Sequence, residues 1–353
     1  MDEKAKQFLV QLVETPGVSG YETQVQELVR SYARDFADEI KTDLHGNVIL
    51  SKNPDAPVRT MLAGHADQIG LIVSSIDDGG YLYTQTVGGW DPQQLVGQRM
   101  TVWTDSGPVP GVIARKAIHL LEEGERKQVV KAKDLWIDIG ANNEEEARQS
   151  VAIGDPVTFE LRYQDLMNDL ANSPGMDNRT GVWVVVEAMR RAVEQGVDCG
   201  LFAVSTVQEE IGLRGAKTAA FEVDPHVGIA VDVTHATDCP TVDTRQLGNV
   251  KLGDGPVVVR GPNVNPIVCQ RLLSLSQEHD LPVQQAALGR AAPNDSNALQ
   301  VTRGGVAAGI VAIPNRYMHS AVETISLADI DAAASLLAKF VGTIQSREEF
   351  IPR

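Results

Sequence analysis

Four apolar runs in this chain each end in a histidine or an acid, and no other feature restricts the fold as much. Met61-Leu-Ala-Gly-His65-Ala-Asp67 closes on an H-x-D, and Ala203-Val-Ser-Thr-Val-Gln-Glu209-Glu210 closes on paired carboxylates. Ile229-Ala-Val-Asp232 and Val311-Ala-Ile-Pro-Asn-Arg-Tyr-Met-His319 end in the same way. Continuous apolar strands belong to sheets covered on both faces. The pattern therefore predicts an α/β core, a mixed sheet flanked by helices. In open α/β sheets ligands bind beyond the carboxyl ends of the strands, so the four endings are expected to meet. A fifth acid, Asp177, stands in Pro174-Gly-Met-Asp177-Asn178-Arg179-Thr180-Gly181, just before a helix predicted over 181–194.

At 353 residues the chain has the length of two domains, or of one large domain with an insertion. Phe8, Leu9, Leu12 and Val13 have helical spacing. A second helix is expected after Ser19-Gly20-Tyr21-Glu22, where Ser19 and Glu22 have capping-box spacing. Helices are also read over 267–279 and 327–344, the latter opened by Ser326 with Asp329 three positions on. Between about residues 69 and 163 the texture changes to short β-rich runs separated by turns such as Asp77-Asp78-Gly79-Gly80 and Thr104-Asp105-Ser106-Gly107. That texture predicts a small all-β domain, with one helix near 144–150. The expected organisation is a discontinuous catalytic domain of residues 1–68 and 164–353, with residues 69–163 inserted.

Charge and composition exclude several function classes. Lys and Arg number 31 against 47 Asp and Glu, a formal charge of −16. Such an excess disfavours nucleic acid, which needs a basic face, and anionic membranes. No apolar run approaches the ~18 residues of a spanning helix. The start, Met1-Asp2-Glu3-Lys4-Ala5-Lys6, runs straight into an amphipathic pattern without a signal-peptide core. Cys199, Cys239 and Cys269 are odd in number and widely spaced, which fits a reducing cytoplasm better than a disulfide framework.

Two imidazoles and three carboxylates, His65, Asp177, Glu210, Asp232 and His319, suit a pair of divalent cations if one carboxylate is shared, giving each cation three protein ligands. Cations would also relieve the mutual repulsion of clustered acids. Glu209 is the candidate general base, because its side chain points away from that of its neighbour Glu210. Asp67, two residues after His65, is placed to accept the other ring N–H of that histidine. Taken singly, each residue has a plainer reading: Asp177 as a helix cap, His65 as a hydrogen-bonded core histidine. Four buried strands ending in ligand-type residues make the plain reading hard to sustain for the set. His45, His119, His226 and His279 read as surface or loop residues, and His235 and Cys239 stand near Asp232 without an assigned role. A related di-metal carboxypeptidase or N-deacylase can use the same core. A glycosidase needs only two carboxylates, but it would leave the histidines without work, and 5% aromatic residues leave few sugar-stacking surfaces.

Several segments resemble the tetrahedral (TET-type) di-metal aminopeptidases, also labelled glutamyl or leucyl aminopeptidase, endoglucanase or cellulase M. They are Gly64-His65-Ala66-Asp67-Gln68-Ile69-Gly70, Asp177-Asn178-Arg179-Thr180-Gly181, Gln208-Glu209-Glu210-Ile211-Gly212-Leu213-Arg214-Gly215-Ala216, Val231-Asp232-Val233-Thr234 and Arg316-Tyr317-Met318-His319-Ser320. Pro16-Gly17-Val18-Ser19-Gly20-Tyr21-Glu22 and Gly88-Gly89-Trp90-Asp91-Pro92 are similar too. The resemblance implies that His65, Asp177 and Asp232 hold one metal and that Asp177, Glu210 and His319 hold the other, with Asp177 bridging. It implies zinc or cobalt as the metal, Glu209 as catalytic base and Asp67 as the partner of His65. It further implies a PDZ-like or β-barrel insertion used for oligomerisation, and dimers that assemble into a tetrahedral dodecamer admitting peptides. The chain departs from the family at Asn178, where many members carry a second Asp. Ala292-Pro-Asn-Asp295-Ser-Asn-Ala298 matches a family Thr-Asp-Ala segment only loosely, so Asp295 is carried over as a residue of the site wall.

Overall fold

The computed structural model describes residues 1–352, apart from the side chain of Leu247. The chain opens with helices Glu3–Glu14 and Thr23–Ala33, then strands β1 (Glu39–Thr42), β2 (Val48–Lys52) and β3 (Arg59–His65). Six strands follow: β4 (Gly70–Ile76), β5 (Leu82–Val87), β6 (Arg99–Thr104), β7 (Gly107–Ala114), β8 (Trp136–Asp138) and β9 (Pro156–Phe159). They close into an antiparallel barrel in the order β4-β5-β8-β7-β6-β9. Its interior is filled by Leu71, Val73, Leu82, Val102, Ile137 and Val157. The all-β texture of the insertion thus corresponds to a closed barrel, in which no strand edge is left exposed.

After β10 (Gln164–Asp165) and β11 (Leu170–Asn172) comes the long helix Met176–Gln195. Strand β12 (Gly200–Thr206), helix Arg214–Val223 and β13 (Val227–His235) continue the core. The remainder is β14 (Val257–Arg260), helix Pro266–Glu278, β15 (Gln284–Ala287), helix Asp295–Gln300, β16 (Ala307–Asn315), β17 (Thr324–Ser326) and helix Leu327–Gly342. Eight strands form one sheet, ordered β1-β2-β12-β3-β13-β16-β14-β15. At its centre β12, β3, β13 and β16 run parallel, with Thr206 opposite His65 and Asp232 opposite Ala312.

The strand period of two divides the apolar residues between two cores. Leu62, Leu201, Ala203, Ile229, Val231 and Val311 face the helices Glu3–Glu14, Met176–Gln195 and Leu327–Gly342. Met61, Ala63, Phe202, Val204 and Ala230 face the opposite side, against Ala219, Ala220, Val223 and Leu299. Both faces are covered, as the unbroken apolar runs require. No described helix is long and apolar enough to cross a membrane.

Both expected capping boxes are replaced by tertiary contacts. Ser19 Oγ donates to Asp67 (2.6 Å) instead of capping, while the Glu22 carboxylate accepts from the amides of Gly20 (2.8 Å) and Gln208 (3.1 Å). Ser326 makes no cap bond, and Asp329 accepts from the amides of Gly253 (2.9 Å) and Gly255 (2.8 Å). In each case a buried backbone donor from a distant segment claims the acceptor. The long helix is regular from Arg179, two residues before the expected position; Asp177 and Asn178, between Met176 and that point, have non-helical backbone angles.

Candidate active site and metal centre

The carboxyl edge of the sheet brings the predicted residues together. His65 is the last residue of β3, Asp232 lies in β13, and Glu209 and Glu210 follow β12. His319 lies in the turn after β16, and Asp177 lies at the entry of the long helix with non-helical backbone angles. His65 Nε2 lies 3.2 Å from Asp177 Oδ1, 3.6 Å from Asp232 Oδ1 and 3.8 Å from Glu209 Oε2. On the other side, His319 Nε2 lies 3.4 Å from both Asp177 Oδ2 and Glu210 Oε1. The two oxygens of Asp177 therefore face two different imidazoles.

Backbone carbonyls fix both rings. His65 Nδ1 is bonded to the carbonyl oxygen of Asp67 (3.1 Å), and His319 Nδ1 to that of Gly89 (2.7 Å). A carbonyl only accepts, so each Nδ1 carries the hydrogen and each Nε2 is turned toward the acids. The Asp67 carboxylate, expected to be the partner of His65, lies 3.4 Å from its Nδ1. It also accepts from Ser19 Oγ (2.6 Å) and from the amides of Glu209 (2.9 Å) and Glu210 (3.1 Å). One buried carboxylate thus sets the backbone of both glutamates.

Other residues complete the site, and of these Glu323 carries no signal in its own sequence surroundings. Gly89 belongs to the barrel, and Trp90 secures its loop by donating to the carbonyls of Gly70 and Val87, both at 3.0 Å. Glu323, nearly inaccessible, accepts from the amides of Asp177 (2.8 Å) and His319 (2.7 Å). Arg179 is fully buried, donates to Leu12 O, Gly17 O and Gln68 Oε1, and lies in the field of Asp67 and Glu22. Asn178 points away from the acids: its Nδ2 donates to Val231 O (2.8 Å) and its Oδ1 accepts from Gly181 N (2.9 Å). An Asp there would lack the first bond. Asp295 is buried, with Oδ2 accepting from Thr206 Oγ1 (2.6 Å) and Oδ1 unpartnered. His235 is exposed at the end of β13 and, among the described residues, forms no ion pair with the cluster.

Burial dominates the electrostatics. It pushes Glu209 up to about 10, with Asp232, Asp295 and Glu210 adding to the rise and His65 opposing it. It pushes Glu210 up to about 7, assisted by the charge of Asp177, and it raises Asp232. Asp177 is buried too, but its hydrogen bonds to His319 and His65 hold it below the usual carboxylate range. Hydrogen bonds to Asp177 and Glu210 raise His319 to about 11. The protein has packed more acid than two imidazoles can neutralise. Donor atoms of His65, Glu209 and Asp232 lie within 4.8 Å of one another, as do those of His65, Asp177 and Glu210. Glu210 Oε1 is buried, with the His319 imidazole 3.4 Å away. Such a cluster of nitrogen and oxygen donors fits a divalent cation.

Known proteins resemble this chain in sequence and fold. The model of the M42 glutamyl aminopeptidase family matches residues 46–336. The lysyl aminopeptidase of Pyrococcus furiosus is 36% identical over 335 residues, covering 94% of each chain. The TET aminopeptidase of a marine-sediment Thaumarchaeota archaeon superposes with a TM-score of 0.95 at 34% identity, over 99% of both chains. The Pyrococcus horikoshii TET1 peptidase, which can assemble into a tetrahedron or a large octahedral shell, gives a TM-score of 0.85 at 30% identity. That match covers 96% of this chain and 100% of the other. A glycosidase is not favoured beside these peptidase relatives. Likeness of this extent, in sequence and fold together, makes the chain a member of the M42 glutamyl aminopeptidase family, and so a hydrolase of peptide bonds.

Proposed function

We propose that the chain removes N-terminal residues from peptides with two divalent cations, zinc or cobalt, one held by His65, Asp177 and Asp232 and the other by Asp177, Glu210 and His319. The observation that supports this reading is the orientation of Asp177, one oxygen toward each imidazole. Bound there, the cations would supply Lewis acidity to the scissile carbonyl and to water. Glu209 takes the proton of the attacking water on its carboxylate and returns it to the leaving amine. Its position suits that role: of the three acids around His65 Nε2 it is the most distant, which leaves its carboxylate free of the two ligand sets. Asp67 holds Glu209 and Glu210 in register through their amides. The barrel of the proposed 69–163 insertion serves homo-oligomerisation, with dimers building a tetrahedral dodecamer in the cytoplasm.

The test is a panel of peptides with free and N-acetylated termini, digested by enzyme loaded with zinc or cobalt. Release of the first residue from the free set alone is expected. Cleavage confined to the acetylated set would assign the site to an N-deacylase, and release from the other end would assign it to a carboxypeptidase.

A further inference from the structure

Glu323 makes contacts that neither the acid–base scheme nor the ligand sets use. It is 2% exposed and sits just before β17, at the exit of a loop whose ends are tied by reciprocal bonds between Arg316 and Thr324. Inside that loop Tyr317 and His319 hold left-handed backbone conformations, at φ +64° and +60°. Non-glycine residues enter that region at a cost and stay there only when their surroundings hold them. The carbonyl of Glu323 accepts from Ser173 N (3.1 Å) and Asn172 Nδ2 (3.0 Å), which anchors the residue to β11. From that anchor the carboxylate reaches back, Oε1 to the amide of His319 (2.7 Å) and Oε2 to the amide of Asp177 (2.8 Å). A single side chain thereby joins the backbones of two residues that are 142 positions apart.

We infer that Glu323 is a positioning residue that sets the distance between Asp177 and His319, and so the cation position that they form with Glu210. The inference rests on the ligand sets proposed above. The chemistry favours an acid at this point, because a carboxylate accepts on both oxygens. A glutamine accepts on one and turns an NH2 toward the other backbone N–H. The other cation position shares Asp177, but its two remaining ligands, His65, bonded to Asp67 O, and Asp232, on a central strand, make no hydrogen bond to Glu323, so that position should weaken far less.

The experiment titrates metal-free wild type and Glu323→Gln with cobalt and zinc, following calorimetry and the visible absorption of cobalt, with the melting temperature of the metal-free proteins alongside. Two binding steps are expected for the wild type. In Glu323→Gln one step should weaken by about 10–100-fold, the usual effect of losing a group that orients a ligand, while the other stays within about threefold. Activity should fall at limiting metal and recover at high metal with KM unchanged. Should the Gln variant fail to fold, Glu323→Asp is measured instead; its shorter side chain keeps the charge but cannot span both amides, and the same pattern is expected. Wild-type affinity at both steps overturns the inference. Equal weakening of both steps with a lower metal-free melting temperature also overturns it, since that marks a merely structural residue. A wild type that binds fewer than two cations defeats the proposed ligand sets first, and the inference with them.

Discussion

Gly64 lies between the two halves of the candidate site, and substituting it gives a sharp test of the geometry. It precedes His65 on β3 and packs against the helix that begins with Met176 and Asp177. A Cβ at Gly64 would fall 2.5 Å from the carbonyl carbon of Gly181, 2.6 Å from its oxygen and 2.7 Å from the nitrogen of Val182. Ordinary contacts begin at 3.4 Å, so Gly64→Ala requires strand and helix to part by about 0.9 Å. All three neighbours are backbone atoms, and none can rotate aside. The His65 Nε2 and Asp177 Oδ1 atoms, 3.2 Å apart, ride on the two elements that must separate. Overpacking of this kind costs about 1–3 kcal/mol, and a displacement near 1 Å at reacting groups costs on the order of 10²-fold in rate. The assay is kcat/KM on an aminoacyl chromogenic substrate together with the melting temperature. Gly228→Ala in β13 is the comparison, since its Cβ would meet only side chains, at 3.3 Å (Val306) and 3.5 Å (Leu299); it should stay near wild type. Wild-type activity and melting in Gly64→Ala, or equal damage in Gly228→Ala, would refute the reasoning.

Glu209→Gln should keep its metal but lose about 10²–10⁴-fold in kcat, checked by single-turnover kinetics beside metal analysis. Asp177→Ala should bind neither cation tightly, measured by elemental analysis after gel filtration, and a chelator should abolish wild-type activity until zinc or cobalt is restored. Asp329, buried against the amides of Gly253 and Gly255, is raised from 3.8 to about 6, chiefly by that burial. Its folded pKa lies above its unfolded one, so the folded state takes up the extra proton. Stability linked to this group is therefore highest below about pH 4 and declines until about pH 6. Urea midpoints of the wild type minus those of Asp329→Asn should fall across that window and be flat above it.

The strand endings were legible because burial and chemistry conflict there: His65, Asp232 and the Glu209–Glu210 pair close apolar runs that have no structural need of them. Asp177 was legible through its position before a helix and the motif around it. The barrel strands announced themselves as short β-rich runs separated by turns at Asp77–Gly80 and Thr104–Gly107, and the closed barrel follows from their pairing. What could not be read depends on partners distant in sequence. Ser19 and Asp329 have the local pattern of caps, yet their oxygens serve Asp67 and the 253–255 turn. Glu323 looks like any acid four residues after a histidine, until the fold places two amides within its reach. Strand β15, Gln284-Gln-Ala-Ala287, lacks the β-branched residues that mark a strand and owes its form to pairing with β14.

The hold that Gly89 has on His319 reaches beyond the chemistry of one imidazole. A smaller enzyme made by excising the barrel would strip that ring of its Nδ1 acceptor, and a transplanted module would have to present a main-chain oxygen at the same spot.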